Sequence, residues 1–130
     1  MAAIFAAGAE GIQMGTRFVS SKESPVHNNF KNKILESGID GTLVLNKTSK
    51  PVIRALKSKL THDINQKGQM DMSSMLKIQD LYFKGDMEAA PALSGQSSGL
   101  INEIMTVKEI IDETIKEFNI ICKKMGDISF

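Results

Sequence analysis

Apolar side chains recur at helical spacing over much of the chain and gather into short unbroken runs elsewhere. The longest stripe is the last. Val107, Ile110, Ile111, Ile115, Phe118, Ile121, Cys122 and Met125 share one face of a predicted helix that Thr106 opens as N-cap, Glu109 completes as a capping box and Gly126 closes. Such a stripe needs a surface to cover it. A second helix is expected from Ser24 as N-cap and Pro25 at the first helical position, through Val26, Phe30 and Ile34 to Gly38. Ala2 to Ala7 are helix formers that stop at Gly8, a residue suited to the left-handed position past a helix end. Pro51, Val52, Ile53, Leu56 and Leu60 mark a further helical face, with Lys50, Arg54, Lys57 and Lys59 on the rest of it. Met75, Ile78 and Tyr82 predict a helix closing at Gly85, and Leu100 opens another apolar helical stretch.

Strand signals are sparse. Gly11 to Met14, apolar and bounded by glycine, reads as a buried strand of the parallel type. Thr42 to Leu45 could pair, but nothing nearby reads as a hairpin partner, so this stretch is expected to be an extended linker. Thr61 to Asp71 is polar and reads as a loop. The expected chain is mostly helical, with a single strand near Gly11 to Gly15.

The 130 residues are 42% apolar and 24% charged, with a formal charge of +1, which is one domain of ordinary composition. A charge so near zero exerts no general pull on nucleic acid or anionic lipid. The longest apolar run, Ala2 to Ala7, is far below the ~20 residues that cross a bilayer, and no basic stretch precedes an apolar one, so a cytoplasmic protein is expected. Cys122 alone cannot form an internal disulfide, and with only His27 and His62 no zinc site is expected. His27, in a first helical turn, reads as a local hydrogen-bonder, His62 as solvated and Cys122 as a small hydrophobe on its stripe. Met70, Met72, Met75 and Met87 read as gap-filling core. The basic face from Lys50 to Lys59 reads as a solvated one, with an anionic substrate as the rival use.

Two glycine-bearing segments could carry chemistry: Gln13-Met14-Gly15-Thr16, and Ser94-Gly95-Gln96-Ser97-Ser98-Gly99. A glycine after a strand lets backbone N–H groups approach a phosphate, and an adjacent hydroxyl adds a donor, so Gly15 and Thr16 have the makings of an anion cradle. Gly8, Gly11 and Gly15 do not form G-x-G-x-x-G, and no G-x-x-x-x-G-K-[ST] occurs. Gln13 and Met14 would alternate on a strand, so only one side chain could face a pocket.

The run Gly8-Ala9-Glu10-Gly11-Ile12-Gln13-Met14-Gly15-Thr16-Arg17-Phe18, then Ser24-Pro25-Val26-His27-Asn28-Asn29-Phe30-Lys31, then Gly95-Gln96-Ser97-Ser98-Gly99-Leu100-Ile101, resembles the flavin-dependent nitronate monooxygenase family. That family, also called 2-nitropropane dioxygenases, includes enoyl-[acyl carrier protein] reductase II. The resemblance runs from about Met1 to Phe118. It implies an α/β fold in which this chain is the C-terminal part of an FMN-binding (β/α)8 barrel. Residues 1–23 would be the end of the barrel, with helix seven, strand eight and the phosphate loop; residues 24–130 would be the last barrel helix and a C-terminal helical extension. The resemblance places Gln13, Met14, Gly15 and Thr16 against FMN, the last two at its phosphate, and brings in Gly95 and Gln96 from the extension, with Ser94 where the family usually has alanine.

A barrel of this kind takes about 250 residues, so by the resemblance this chain holds one of its eight strands. The family's catalytic histidine comes from an earlier loop, leaving no catalytic residue expected here. The implied activity is oxidation of alkyl nitronates by O2. The alternatives are NAD(P)H-dependent reduction of an enoyl thioester, or a non-catalytic helical remnant. The isolated chain is expected to retain no FMN, to be inactive, and to be oligomeric or loosely folded through its uncovered faces.

Overall fold

A computed structural model describes residues 1–128; of the extension expected over 24–130, Ser129 and Phe130 lie outside the described residues. Helices α1 (Ala2–Ala6), α2 (Thr16–Val19) and α3 (Asn28–Leu35) come first. Strands β1 (Thr42–Leu45) and β2 (Ile53–Leu56) follow, then α4 (Lys59–Lys67). A 3-10 turn at Met72–Lys77 and a π-helical turn at Asp80–Lys84 lead to a second 3-10 turn at Gln96–Leu100 and to α5 (Val107–Gly126).

The strands correct two expectations. β1 and β2 form an antiparallel pair in which Leu43 faces Ala55 and Leu45 faces Ile53. The linker is therefore a strand, and its partner lies in the stretch expected to be helical. Ile53 and Leu56 are three apart, which satisfies a helical face, but a run this short fits a strand equally well. The intervening loop is longer than the two-residue turns that announce a hairpin. Its first residue, Asn46, adopts a positive φ of 60°, donates from Nδ2 to the Pro51 carbonyl at 2.9 Å and accepts from the Met70 N–H at 3.3 Å. A third extended piece joins β2: Leu56 N–H donates to Ala92 O at 2.8 Å, and Ser94 N–H to Arg54 O at 3.1 Å.

Alternation along β2 divides the core between the two faces of this small sheet. Leu45, Ala55, Ile64 and Met70 pack on one face, with Leu43, Ile53, Leu60, Met75 and Leu93 around them. Leu56 points the other way, into Phe30, Ile34, Leu81, Ala90, Ala92 and Ile101, with Met87 packed alongside. Met70, Met75 and Met87 thus serve as packing; Met72 lies outside the described side chains.

The polar stretch expected as a loop over Thr61 to Asp71 is helical as far as Lys67 and irregular only beyond it. Ser58 caps α4 through a reciprocal box with Thr61, and Gly68 ends it at a left-handed φ of 75°. Only Thr61 and Ile64 are buried there, a stripe too narrow to stand out against a polar background. α3 starts later than expected, with His27 as its cap in place of Ser24, because the His27 ring Nδ1 accepts from Asn29 N–H at 3.1 Å. His27 is therefore a local hydrogen-bonder, packed so closely on Gly85 that a Cβ there would lie 2.2 Å from Nδ1. Gly85 does close its segment at a left-handed φ, as Gly8 does after α1, but the helix expected from Met75 is split into the 3-10 and π turns. No helix begins at Leu100; the backbone becomes extended at Ile101.

Gly11 to Met14 is not a strand in this structure. It has no pairing partner among the described residues and is largely exposed. A parallel strand exists only where neighbours run beside it, and none of the described segments does so.

Candidate functional site

The segment after Gly11 leads into α2, whose first amides set the local chemistry. Gly15 is the N-cap and offers no side chain to the turn. Phe18 and Val19 donate back to Gly15 O, at 3.0 Å each, whereas no acceptor among the described residues meets the N–H groups of Gly15, Thr16 and Arg17. A Cβ on Gly15 would touch nothing, so the backbone here faces open space.

Opposite lies the turn after the third extended piece. Gly95 N–H donates to Thr16 Oγ1 at 2.8 Å, and this bond joins the two glycine-bearing segments across 79 residues. Thr16 accepts through its oxygen and keeps its hydroxyl proton to donate elsewhere. Together these segments edge a cleft of about 790 Å³, which Ile4, Ile12 and Leu100 make partly apolar and α5 borders through Glu113, Thr114 and Glu117.

Of the six residues expected at the site, Gln13, Met14, Gly15, Thr16 and Gly95 line this cleft. Gln96 does not; it is exposed at the start of the 3-10 turn. The Gly95–Gln96 turn is held from behind by Gly99, where a Cβ would come within 2.5 Å of Gly38 O. Buried Ser94 and Ser98 carry hydroxyls with no protein partner among the described residues.

Arg17 is the residue that sequence reasoning passed over. It is the only basic side chain in the cleft lining among the described residues, a lining that also includes Glu103, Glu113 and Glu117. Its guanidinium donates to Glu103 O at 2.7 Å and to the Met105 sulfur, which pins the 103–105 loop to α2. A basic residue next to an anion cradle was a usable signal, but its long reach hid which groups it would meet.

The basic face expected from Lys50 to Lys59 is dispersed. Arg54 donates to Thr42 Oγ1 at 2.9 Å, and Lys57 pairs with Asp40 at 3.0 Å, holding that carboxyl below its usual value. Cys122 is exposed, not packed as a small hydrophobe, and His62 is exposed as well. Among the described residues no three His, Cys, Asp or Glu side chains could hold a metal ion, and no helix is long and apolar enough to cross a membrane.

This geometry has relatives. The family model for nitronate monooxygenase matches residues 1–117. A probable nitronate monooxygenase of Staphylococcus saprophyticus is 28% identical over 120 residues, covering 86% of this chain and 33% of that protein. A (3aS,4S,5R,7aS)-5-hydroxy-7a-methyl-1-oxo-octahydro-1H-indene-4-carboxyl-CoA dehydrogenase of Mycobacterium tuberculosis is 23% identical, covering 88% of this chain and 45% of that one. FabK from Thermotoga maritima superposes with a TM-score of 0.90 at 37% identity, over 98% of this chain and 43% of FabK. The chain therefore spans less than half the length of each of these relatives.

Proposed function

The chain belongs to the nitronate monooxygenase family of oxidoreductases, and from that premise we propose that it forms part of an FMN-dependent enzyme oxidising alkyl nitronates with O2. In this reading residues 1–23 end a (β/α)8 barrel and residues 24–130 supply its last helix and the helical extension. The observation that carries the proposal is the Gly95–Thr16 hydrogen bond, which brings the two family-like segments to one cleft.

The donor set fits the phosphate of FMN. The free amides of Gly15 and Thr16 and the Thr16 hydroxyl can converge on an anionic oxygen, and the absence of a Cβ at Gly15 permits close approach. Gln13 and Met14 would meet the ring side, Gly95 would flank it, and Gln96 would have to turn inward from its exposed position. When bound, FMN supplies the electron acceptor for a substrate carbanion and the route for those electrons to O2. This chain's own residues bind and orient. Arg17 holds the 103–105 loop at the rim, and Ile4, Ile12 and Leu100, exposed in this chain, give the cleft apolar surface against which a ligand can pack. No residue here is assigned to proton transfer, since His27 caps α3 and does not line the cleft.

A second reading, NAD(P)H-dependent reduction of an enoyl thioester, is favoured by the identity to FabK, 37% against 28% for the probable nitronate monooxygenase. The test combines this chain with the part of FabK that it does not cover. FMN fluorescence quenching by the mixture, and its weakening at least tenfold by Thr16→Val, is expected. Oxygen uptake with propyl nitronate then supports the first reading and NADH oxidation with crotonyl thioester the second. A mixture that binds no FMN overturns both.

A further inference from the structure

We propose that the Ser21–Ser24 turn is a binding site for a primary ammonium group, which Lys31 fills from within the chain. Lys31 is 4% exposed, and its Nζ donates to Ser21 O at 2.7 Å, to Ser24 O at 2.8 Å and to Lys22 O at 3.4 Å. Three donors meet three carbonyls, the full capacity of an ammonium. Among the described residues no carboxylate forms an ion pair with it. A buried cation is costly unless it is compensated, so these carbonyl dipoles alone hold the charge.

The turn is built to aim its carbonyls inward. Ser20 and Ser21 are buried; Ser20 Oγ donates to Arg17 O at 2.8 Å, and Ser24 N–H donates to Ser21 Oγ at 3.2 Å. The outer side of the same turn ties down α5. Glu23 accepts from Val107 N–H with both carboxylate oxygens, at 3.0 and 2.9 Å, and Lys22 N–H donates to Met105 O at 2.8 Å. One ammonium thus fixes the piece of chain that connects α2, which edges the cleft, to the root of α5, which borders it. This inference stands apart from the flavin reading, and its test uses no flavin.

Lys31→Ala empties the site and leaves a channel where the butyl stem ran. Its unfolding midpoint should drop by roughly 10 °C. At constant ionic strength, n-propylammonium at about 0.2 M should recover at least half of that drop by mass action, whereas tetramethylammonium, of equal charge but without N–H donors, should recover none. Lys31→Met, whose stem blocks the channel, should not respond to either. Equal recovery by both cations, no recovery by propylammonium, or an equal response of Lys31→Met overturns the site. Should Lys31→Ala fail to fold, acetic anhydride labelling of the natural chain decides: Lys31 should react at least tenfold more slowly than exposed Lys116, and comparable rates overturn the proposal.

Discussion

α3 and α5 carry the same kind of amphipathic signal and meet opposite fates. α3 has eight residues and buries Phe30, Lys31 and Ile34. α5 has twenty and buries only Ile110, while Ile115 and Ile121 remain 48% and 44% exposed. The difference lies in what arrives beside them. Leu56, Leu81 and Ala92 close over α3, whereas α5 is met, among the described residues, chiefly by α2, by the Lys22–Glu23 turn at its start and by α1, where the Phe5 ring centroid lies 5.2 Å from that of Phe118. An amphipathic stripe reports a demand for cover and says nothing about whether the same stretch of chain supplies it. The relatives, more than twice as long, have more chain with which to supply it.

The largest effect is expected in α3. Phe30→Ala should cost about 3–5 kcal/mol, a large part of the stability of a domain this size, and should show in urea denaturation as loss or near loss of the folded baseline. A loss below about 1 kcal/mol would mean that α3 is no better covered than α5.

Thr106→Ala removes the hydroxyl that accepts from Glu109 N–H, leaving only the Thr106 N–H to Glu109 half of the capping box, and should cost about 1 kcal/mol, seen as reduced helical dichroism. The same box makes α5 acid-sensitive. The Thr106 N–H, then its hydroxyl, and to a lesser degree Lys22 hold the Glu109 carboxyl below its usual value. A depressed carboxyl stabilises the fold above its unfolded-state pKa, and that contribution is lost as pH falls through the lower folded value. Helical dichroism should therefore decline below about pH 4, and Glu109→Gln should remove that part of the decline.

The smallest effect is expected in the middle of α5, where Ile115→Gln should change stability by less than about 0.5 kcal/mol. Sedimentation velocity sharpens the contrast. If the substitution lowers a concentration-dependent sedimentation coefficient, the stripe is covered by a second copy of the chain; an unchanged monomer shows that it stands free.

Much of the helical framework was legible because its signals are local. Thr106 and Glu109, Gly8 and Gly85 each act within a few residues of themselves, and each does what its chemistry suggests. The family was legible for a related reason, since the Gly8 to Phe18 run is contiguous and specific. The failures are non-local. Gly11 to Met14 looks like a strand but has nothing beside it here, and Thr42 to Leu45 looked unpartnered because its partner resembled a helix. By itself, then, the sequence determined the capping box of α5, the amphipathic faces of α3 and α5 and the two glycine segments worth watching. Tertiary structure alone decided that Thr16 and Gly95 meet, that Lys31 is enclosed by carbonyls and that β1 pairs with β2. A hydrogen bond between distant segments forms only where the packing of everything between them brings the two ends together, and no local pattern encodes that distance.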